Sequence, residues 1–85
     1  IKVIPNPFFD KIGILFNAID SQLVTIRMFD ITGRLIVSGK FDAQRVGLNY
    51  LELTQLDFIK PGIYTLTVIA GEKRLNSQKI VKVKD

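Results

Sequence analysis

Cysteine, histidine and tryptophan are all absent from this chain of 85 residues. Without cysteine the chain has no disulfide framework, and without cysteine and histidine it lacks the usual zinc ligands. The same absences remove the Cys–His pair and the Ser–His–Asp triad of nucleophilic catalysis. The commonest hydrolytic and zinc-dependent enzymes are therefore excluded.

Long apolar runs and a leader peptide are also lacking. No run approaches the roughly 18 residues of a membrane-spanning helix, so we expect no membrane insertion. The chain starts at Ile1, without the basic and apolar stretches of a signal peptide. We interpret residues 1–85 as a single domain of a longer secreted protein.

Acidic residues and glycines are present but scattered. The eight carboxylates form neither a calcium loop nor a recognisable glycosidase pair, and the glycines form no phosphate-binding loop. Basic and aromatic residues are not interleaved in the way that nucleic-acid-binding sheets require. We therefore predict a monomeric, non-enzymatic domain without a cofactor, a metal or a nucleic-acid partner.

The apolar residues that are present recur with the period of two that is typical of strands. Turn residues separate these stretches about every ten residues, which is the pattern of an all-β fold. Counting the N-terminal stretch, we predict seven antiparallel strands in an immunoglobulin-like or fibronectin-like β-sandwich. The other six predicted strands are residues 11–17, 22–29, 34–41, 47–53, 62–70 and 79–84.

The C-terminal stretch is rich in lysine, and the formal net charge of the whole chain is +4. Alternation along the last predicted strand places Val81 and Val83 toward the core and Lys82 and Lys84 toward solvent. Such lysines usually keep an edge strand soluble. Contact with an anionic partner is the alternative function of the same charges.

A four-residue turn is predicted between Asp30 and Gly33. An Asp side chain at the first turn position accepts local backbone N–H bonds, and a Gly at the last position takes a positive φ. We predict a tight hairpin here, with Arg34 exposed just beyond it.

The corner at Pro61 and Gly62 is followed closely by Tyr64. This arrangement is similar to the tyrosine corner of immunoglobulin-like sandwiches, in which the phenol hydroxyl bonds back to the backbone. We predict a bond from the Tyr64 hydroxyl to residues 56–61. The alternative is that Tyr64 is an ordinary amphipathic strand residue.

The chain opens with the sequence IPNPF at residues 4–8. Proline has no N–H and fixes φ, so a Pro-Asn-Pro stretch cannot lie inside a sheet. We predict an extended segment that leaves the first strand and releases the chain into a turn.

IPNPF is the first of four stretches that occur in a specific order along the chain. They are IPNPF (4–8), VTIRMFDITGRLI (24–36), LDFIKPGIYTLTV (56–68) and KIVKV (79–83). Their order and spacing resemble the type A C-terminal sorting domain of type IX secretion, which is found on cargo proteins of the Bacteroidota. The visible departure is Phe29, where that family commonly has tyrosine.

The resemblance implies a signal that directs an upstream cargo protein across the outer membrane. It implies that the folded domain is recognised in the periplasm and by the translocon. A sortase of the same system would then remove it, and the cargo would reach the cell surface or the medium. The resemblance assigns a sorting motif whose residues would serve either recognition or folding. They are Pro5, Asn6, Pro7, Phe8, Asp30, Gly33, Arg34, Gly62, Tyr64, Lys79, Lys82 and Lys84.

Two other functions are compatible with the predicted sandwich. An immunoglobulin-like adhesion or spacer module at the end of a secreted enzyme or surface protein needs no further motif. A carbohydrate-binding module is less well supported, because such modules usually present exposed aromatic platforms and this chain has no tryptophan.

Overall fold

The computed structural model describes residues 2–5, 7–18, 23–42 and 46–83, with the backbone alone at residues 75 and 76. Its strands are β1 (Lys2–Ile4), β2 (Ile12–Ala18), β3 (Leu23–Phe29), β4 (Leu35–Asp42), β5 (Gly47–Leu53), β6 (Gly62–Ala70) and β7 (Lys73–Lys82). A 3₁₀ turn at Leu56–Phe58 lies between β5 and β6. In the described ranges, no helix has the length and apolar character needed to cross a membrane.

The strands form two sheets. One has the order β1-β2-β5, and the other has the order β4-β3-β6-β7. Every pair of neighbours is antiparallel. The predicted all-β class with two antiparallel sheets is confirmed.

One hydrophobic core draws on both sheets. Alternate residues of β2, β3 and β6 supply its centre, because every second side chain of a strand points to the same face. The alternation predicted for these three strands is confirmed. The side chains that are at most 2% exposed include Ile12, Ile14, Phe16, Val24, Ile26, Met28, Leu66, Val68 and Ile80.

The length predicted for β7 differs from the structure. The strand begins at Lys73 rather than at Lys79, and it ends at Lys82. Its pairing with β6 shifts register between Val68 and Ile69. Such an irregularity interrupts the alternation of apolar and polar residues on which the sequence-based prediction depended.

The orientation predicted for the end of β7 is wrong. Ile80 and Lys82 are 0% and 3% exposed, whereas Val81 is 39% exposed. Lys82 pairs with Gly62 of β6, which has no side chain, so the long lysine side chain lies opposite a position without one. Lys84, the other lysine predicted to face solvent, lies outside the described residues.

One end of the sandwich collects all four stretches of the predicted sorting motif, and we call it the motif end. Across the larger sheet, Phe29 at the end of β3 pairs with Thr65 near the start of β6. Gly62 pairs with Lys82, which in turn forms an isolated parallel bridge with Phe8. The β3–β4 turn, the start of β6, the end of β7 and Phe8 therefore lie side by side.

The chain enters the sandwich in the direction of the motif end. β1 runs antiparallel to β2, with Lys2 opposite Leu15 and Ile4 opposite Gly13 near the start of β2. Along β1, Ile4 therefore lies nearer the motif end than Lys2 does.

Candidate recognition surface at the motif end

The β3–β4 hairpin is built around the carboxylate of Asp30. Its Oδ1 accepts the backbone N–H of Thr32 at 2.9 Å, the backbone N–H of Arg34 at 3.0 Å and the Thr32 hydroxyl at 2.6 Å. Gly33 donates its N–H to the Asp30 carbonyl at 3.0 Å and has a φ of +89°, a conformation that favours glycine. The predicted hairpin is confirmed.

Asp30 and Arg34 form an ion pair across this turn. Arg34 Nε lies 3.3 Å from Asp30 Oδ2, and the two side chains are 77% and 19% exposed, respectively. The Thr32 hydroxyl, followed by the Arg34 N–H, lowers the pKa of Asp30 below its ordinary value. The carboxylate is thus ionised and engaged within its own turn, whereas Arg34 is exposed, as predicted.

The connection from β5 to β6, residues 54–61, passes from one sheet to the other, and we call it the crossing. Two hydrogen bonds hold it in place. The Tyr64 hydroxyl donates to the Lys60 carbonyl at 2.6 Å, and the tyrosine side chain is buried. The predicted bond of the tyrosine corner is confirmed. Leu56 donates its N–H to the Asp10 carbonyl at 2.8 Å, which fixes the crossing to the segment before β2.

A groove of about 410 Å³ lies between the hairpin and the tyrosine corner, and we call it the hairpin–corner groove. Three of its apolar side chains are exposed: Ile31 at 82%, Phe58 at 67% and Ile63 at 52%. The residues that line the groove include Ile31, Arg34, Ile36, Phe58, Ile63 and Tyr64.

A second hollow of about 550 Å³ adjoins this groove. It shares Asp30, Ile31 and Ile63 with the groove and adds Gly33 and Lys79. The two concave surfaces are therefore continuous across the turn, and they extend the groove onto the outer face of the larger sheet.

The N-terminal and C-terminal stretches meet in a clasp, formed by Phe8 and residues 81–83. Phe8 donates its N–H to the Val81 carbonyl at 2.9 Å, and its carbonyl accepts the N–H of Val83 at 2.9 Å. The Phe8 side chain is 0% exposed. Lys82 is buried beside it, and its Nζ donates to the Val83 carbonyl at 3.0 Å.

A family model described as "Secretion system C-terminal sorting domain" matches residues 2–83. The chain belongs to this family. Comparisons with curated proteins and with solved structures found no match.

The sorting domain is a C-terminal signal for the type IX secretion system, as the motifs predicted. It interacts with that machinery as part of a cargo protein and directs export to the cell surface or the extracellular space. The family is one of sorting signals and not of catalysts.

The predicted motif residues fall into three groups. Asp30, Arg34, Gly62 and Tyr64 line the groove, while Gly33 and Lys79 line the adjoining hollow. Phe8 and Lys82 form part of the clasp, and Pro5 and Pro7 are exposed in the segment that leads to it. Asn6 and Lys84 lie outside the described residues.

Sequence reasoning missed the exposed apolar side chains of this surface. Ile31 and Phe58 were not among the predicted site residues, although each had a visible signal. Ile31 occupies a turn between Asp30 and Thr32, where polar residues are usual. Phe58 follows Asp57 in the crossing and precedes Pro61, in a segment with no predicted strand.

Metal chemistry has no support in the described part of the sorting domain. No three Asp or Glu residues come together there in a group that could hold a metal ion. The groove combines exposed apolar side chains with an exposed arginine, residue types that are common in protein–protein interfaces.

Proposed function

We propose that the type IX machinery recognises the folded sorting domain through the hairpin–corner groove and the adjoining hollow. One observation carries the proposal: residues from two separate motif stretches, the β3–β4 turn and the start of β6, meet around one concave surface. That surface exposes three apolar side chains whose exposure does nothing for the stability of the isolated domain. Contact with a partner accounts for them.

The direction of β1 also supports recognition through this surface. Because β1 runs toward the motif end, a cargo attached ahead of Lys2 would extend away from that end. A folded cargo attached there leaves the groove accessible, so the domain presents its motif end to the machinery.

We also infer that the sandwich is immunoglobulin-like, of the fibronectin-like kind. Sheets of order β1-β2-β5 and β4-β3-β6-β7 match strands A-B-E and C′-C-F-G of that fold. The tyrosine corner lies at the start of β6, the position of strand F, which is where such sandwiches have it. We propose that residues 1–85 act as one unit.

Steps before and after recognition complete the proposal. The cargo reaches the periplasm, the domain folds there, and the translocon carries it across the outer membrane. A sortase of the same system then removes the domain by cleavage near or upstream of Ile1. The sorting domain supplies no catalytic group to that step, and the cargo is either released or retained at the surface.

The test is export of a reporter protein. Residues 1–85 are fused behind a signal peptide and a reporter in a bacterium that has type IX secretion. Wild-type fusions should reach the medium or the cell surface. Phe58→Ser should leave the reporter in the periplasm, whereas Val46→Ser, which changes an equally exposed side chain (67% in both cases), should not. Equal export of the two variants, both folded, would refute recognition through the groove.

A wild-type fusion that stays in the periplasm would instead favour the adhesion or spacer alternative. Nothing in the family match favours that alternative.

A further inference from the structure

Apolar side chains occupy the rim of the hairpin–corner groove from both of its sides. Ile31 extends from the turn, while Phe58 and Ile63 flank the corner. Single exposed apolar residues are normal on a soluble domain, but several around one concavity are typical of a binding site. The inner wall adds Ile36, which is half-buried and packs against the core. The groove can therefore enclose an apolar side chain of a partner.

The charges of the groove are unequal in accessibility. Asp30 is the acidic side chain on the groove wall, and its two oxygens are engaged by Thr32 and Arg34 within the turn. Arg34 is 77% exposed, and its ion pair uses Nε, which leaves the two terminal nitrogens of the guanidinium fork as donors to a partner. Lys60 is also exposed on the wall. The accessible charge is therefore positive.

We propose that the groove binds a surface loop of a protein of the type IX machinery, in which an aromatic or branched aliphatic side chain neighbours a carboxylate. The apolar side chain enters between Ile31, Phe58 and Ile63. The carboxylate pairs with Arg34, since a guanidinium and a carboxylate have matching planar geometry. This proposal rests on the proposed recognition function and adds the chemistry of the partner.

A protein loop fits the groove better than a membrane surface or a nucleic acid does. Those polyanions are bound by several cations spread over an extended face. On this domain Arg34 and Lys60 line the groove, Arg74 and Lys79 line the adjoining hollow, and the exposed cations Arg27 and Lys40 line neither concave surface. Within the groove itself, three exposed apolar side chains lie beside two exposed cations, a mixture that fits a protein segment better than a polyanion.

The first experiment measures export of the cargo-fused domain by its own machinery. Arg34→Glu should lower export at least about tenfold, because a like charge then faces the partner's carboxylate. Arg34→Gln should give an intermediate loss, and Arg34→Lys a smaller one. Arg27→Glu is the matched control, since it reverses an exposed arginine outside the groove. Melting temperatures of the purified domains verify that each variant is folded.

The second experiment identifies the contacted loop. A photo-crosslinking amino acid replaces Ile31 in the full cargo, and the crosslinked peptide is sequenced by mass spectrometry. We expect a loop of a machinery protein that contains an acidic residue next to an apolar one. Changing that acidic residue to Arg should restore the export of Arg34→Glu and should weaken the export of the wild type.

The outcomes separate this proposal from the proposed function. If Ile31→Ser and Phe58→Ser stop export but Arg34→Glu does not, the groove is recognised, and the proposed pairing of Arg34 with a partner's carboxylate is refuted. A crosslink to lipid, or to a loop without an acidic residue, also refutes it. If none of these variants lowers export, both recognition through the groove and the proposed chemistry of the partner loop are refuted.

Discussion

The clasp and the hairpin–corner groove lie at the same end of the sandwich and carry residues of the same sorting motif, but their exposures are opposite. In the clasp, Phe8 and Lys82 are 0% and 3% exposed. At the groove, Ile31 is 82% exposed and the Arg34 side chain 77%. The motif of this sorting domain thus combines residues buried in the fold with residues exposed at the surface, and we propose that a partner contacts the exposed ones.

The comparison has a direct consequence for mutants. A change in the clasp should lower stability and export together, because an unfolded domain cannot present any surface. A change at the groove rim should lower export while the free energy of unfolding stays nearly constant, since exposed substitutions are usually worth no more than about 0.5 kcal/mol. Variants of the two regions test this division.

The largest effect is expected in the clasp. Phe8→Ala should lower the free energy of unfolding by about 3–5 kcal/mol, because it removes a fully buried aromatic side chain and leaves a cavity. Urea denaturation of the purified domain measures the loss. The adjacent Phe9 is 53% exposed, so Phe9→Ala is the matched control and should change stability far less. Similar losses for both variants would show that the clasp is not a folding element.

A smaller effect separates two lysines of the same strand. Lys82→Glu should lower the free energy of unfolding by about 1–3 kcal/mol, because it buries a carboxylate and removes the donor to the Val83 carbonyl. Lys79→Glu changes an exposed residue and should leave stability within about 0.5 kcal/mol. Thermal melts compare the two.

Export of the same two variants sharpens the comparison. Lys79 lines the hollow beside the groove, so we expect Lys79→Glu to lower export from a folded domain. Lys82→Glu should lower export in proportion to its lost stability. A stable Lys82→Glu domain would contradict the burial of that side chain.

The hairpin and the corner could be predicted because their chemistry is local. Asp30 accepts bonds from residues two and four positions away, and the Tyr64 hydroxyl bonds four residues back. Such short separations restrict the geometry so strongly that residue types alone identify it. The core faces of β2 and β3 were predictable for a similar reason, since a period of two fixes which side chains share a face.

The clasp could not be predicted, because it joins the two ends of the chain. The bridge between Phe8 and Lys82 has no local sequence signal. Alternation also allowed two orientations for the end of β7, and the choice of Val81 as a core residue was wrong because Ile80 occupies the core instead. The groove escaped prediction as a unit, since it exists only when the turn and the crossing are folded together.

The tyrosine corner offers a third test, with a smaller loss. Tyr64→Phe keeps the buried ring and removes the hydroxyl that donates to the Lys60 carbonyl, so we expect a loss of about 0.5–1.5 kcal/mol. Tyr50→Phe is the control, since that hydroxyl contacts Glu52 at 3.0 Å on the exposed face of the smaller sheet. It should cost less. Chemical denaturation of both variants is the measurement, and equal losses would mean that the corner bond adds no stability.

The smallest effect concerns the ionisation of Asp30 in the β3–β4 turn. The Thr32 hydroxyl and the Arg34 N–H lower the pKa of this carboxyl in the folded domain. A carboxyl whose pKa is lower in the folded than in the unfolded state binds fewer protons when folded, so it stabilises the fold when ionised. That contribution is complete above the unfolded value of about 3.9 and is lost as the pH falls through the lower folded value.

Asp30→Asn isolates this contribution, because asparagine can accept hydrogen bonds but does not titrate in this range. The wild type should melt at a higher temperature than Asp30→Asn at about pH 6, and the difference should shrink as the pH falls below about 3.9 and Asp30 becomes protonated in the folded state as well. Export near neutral pH should fall further than the small change in stability explains, because the ion pair positions Arg34 at the groove. A melting difference that stays constant across this range would show that the Asp30 charge does not support the turn, and the variant would then affect only the position of Arg34.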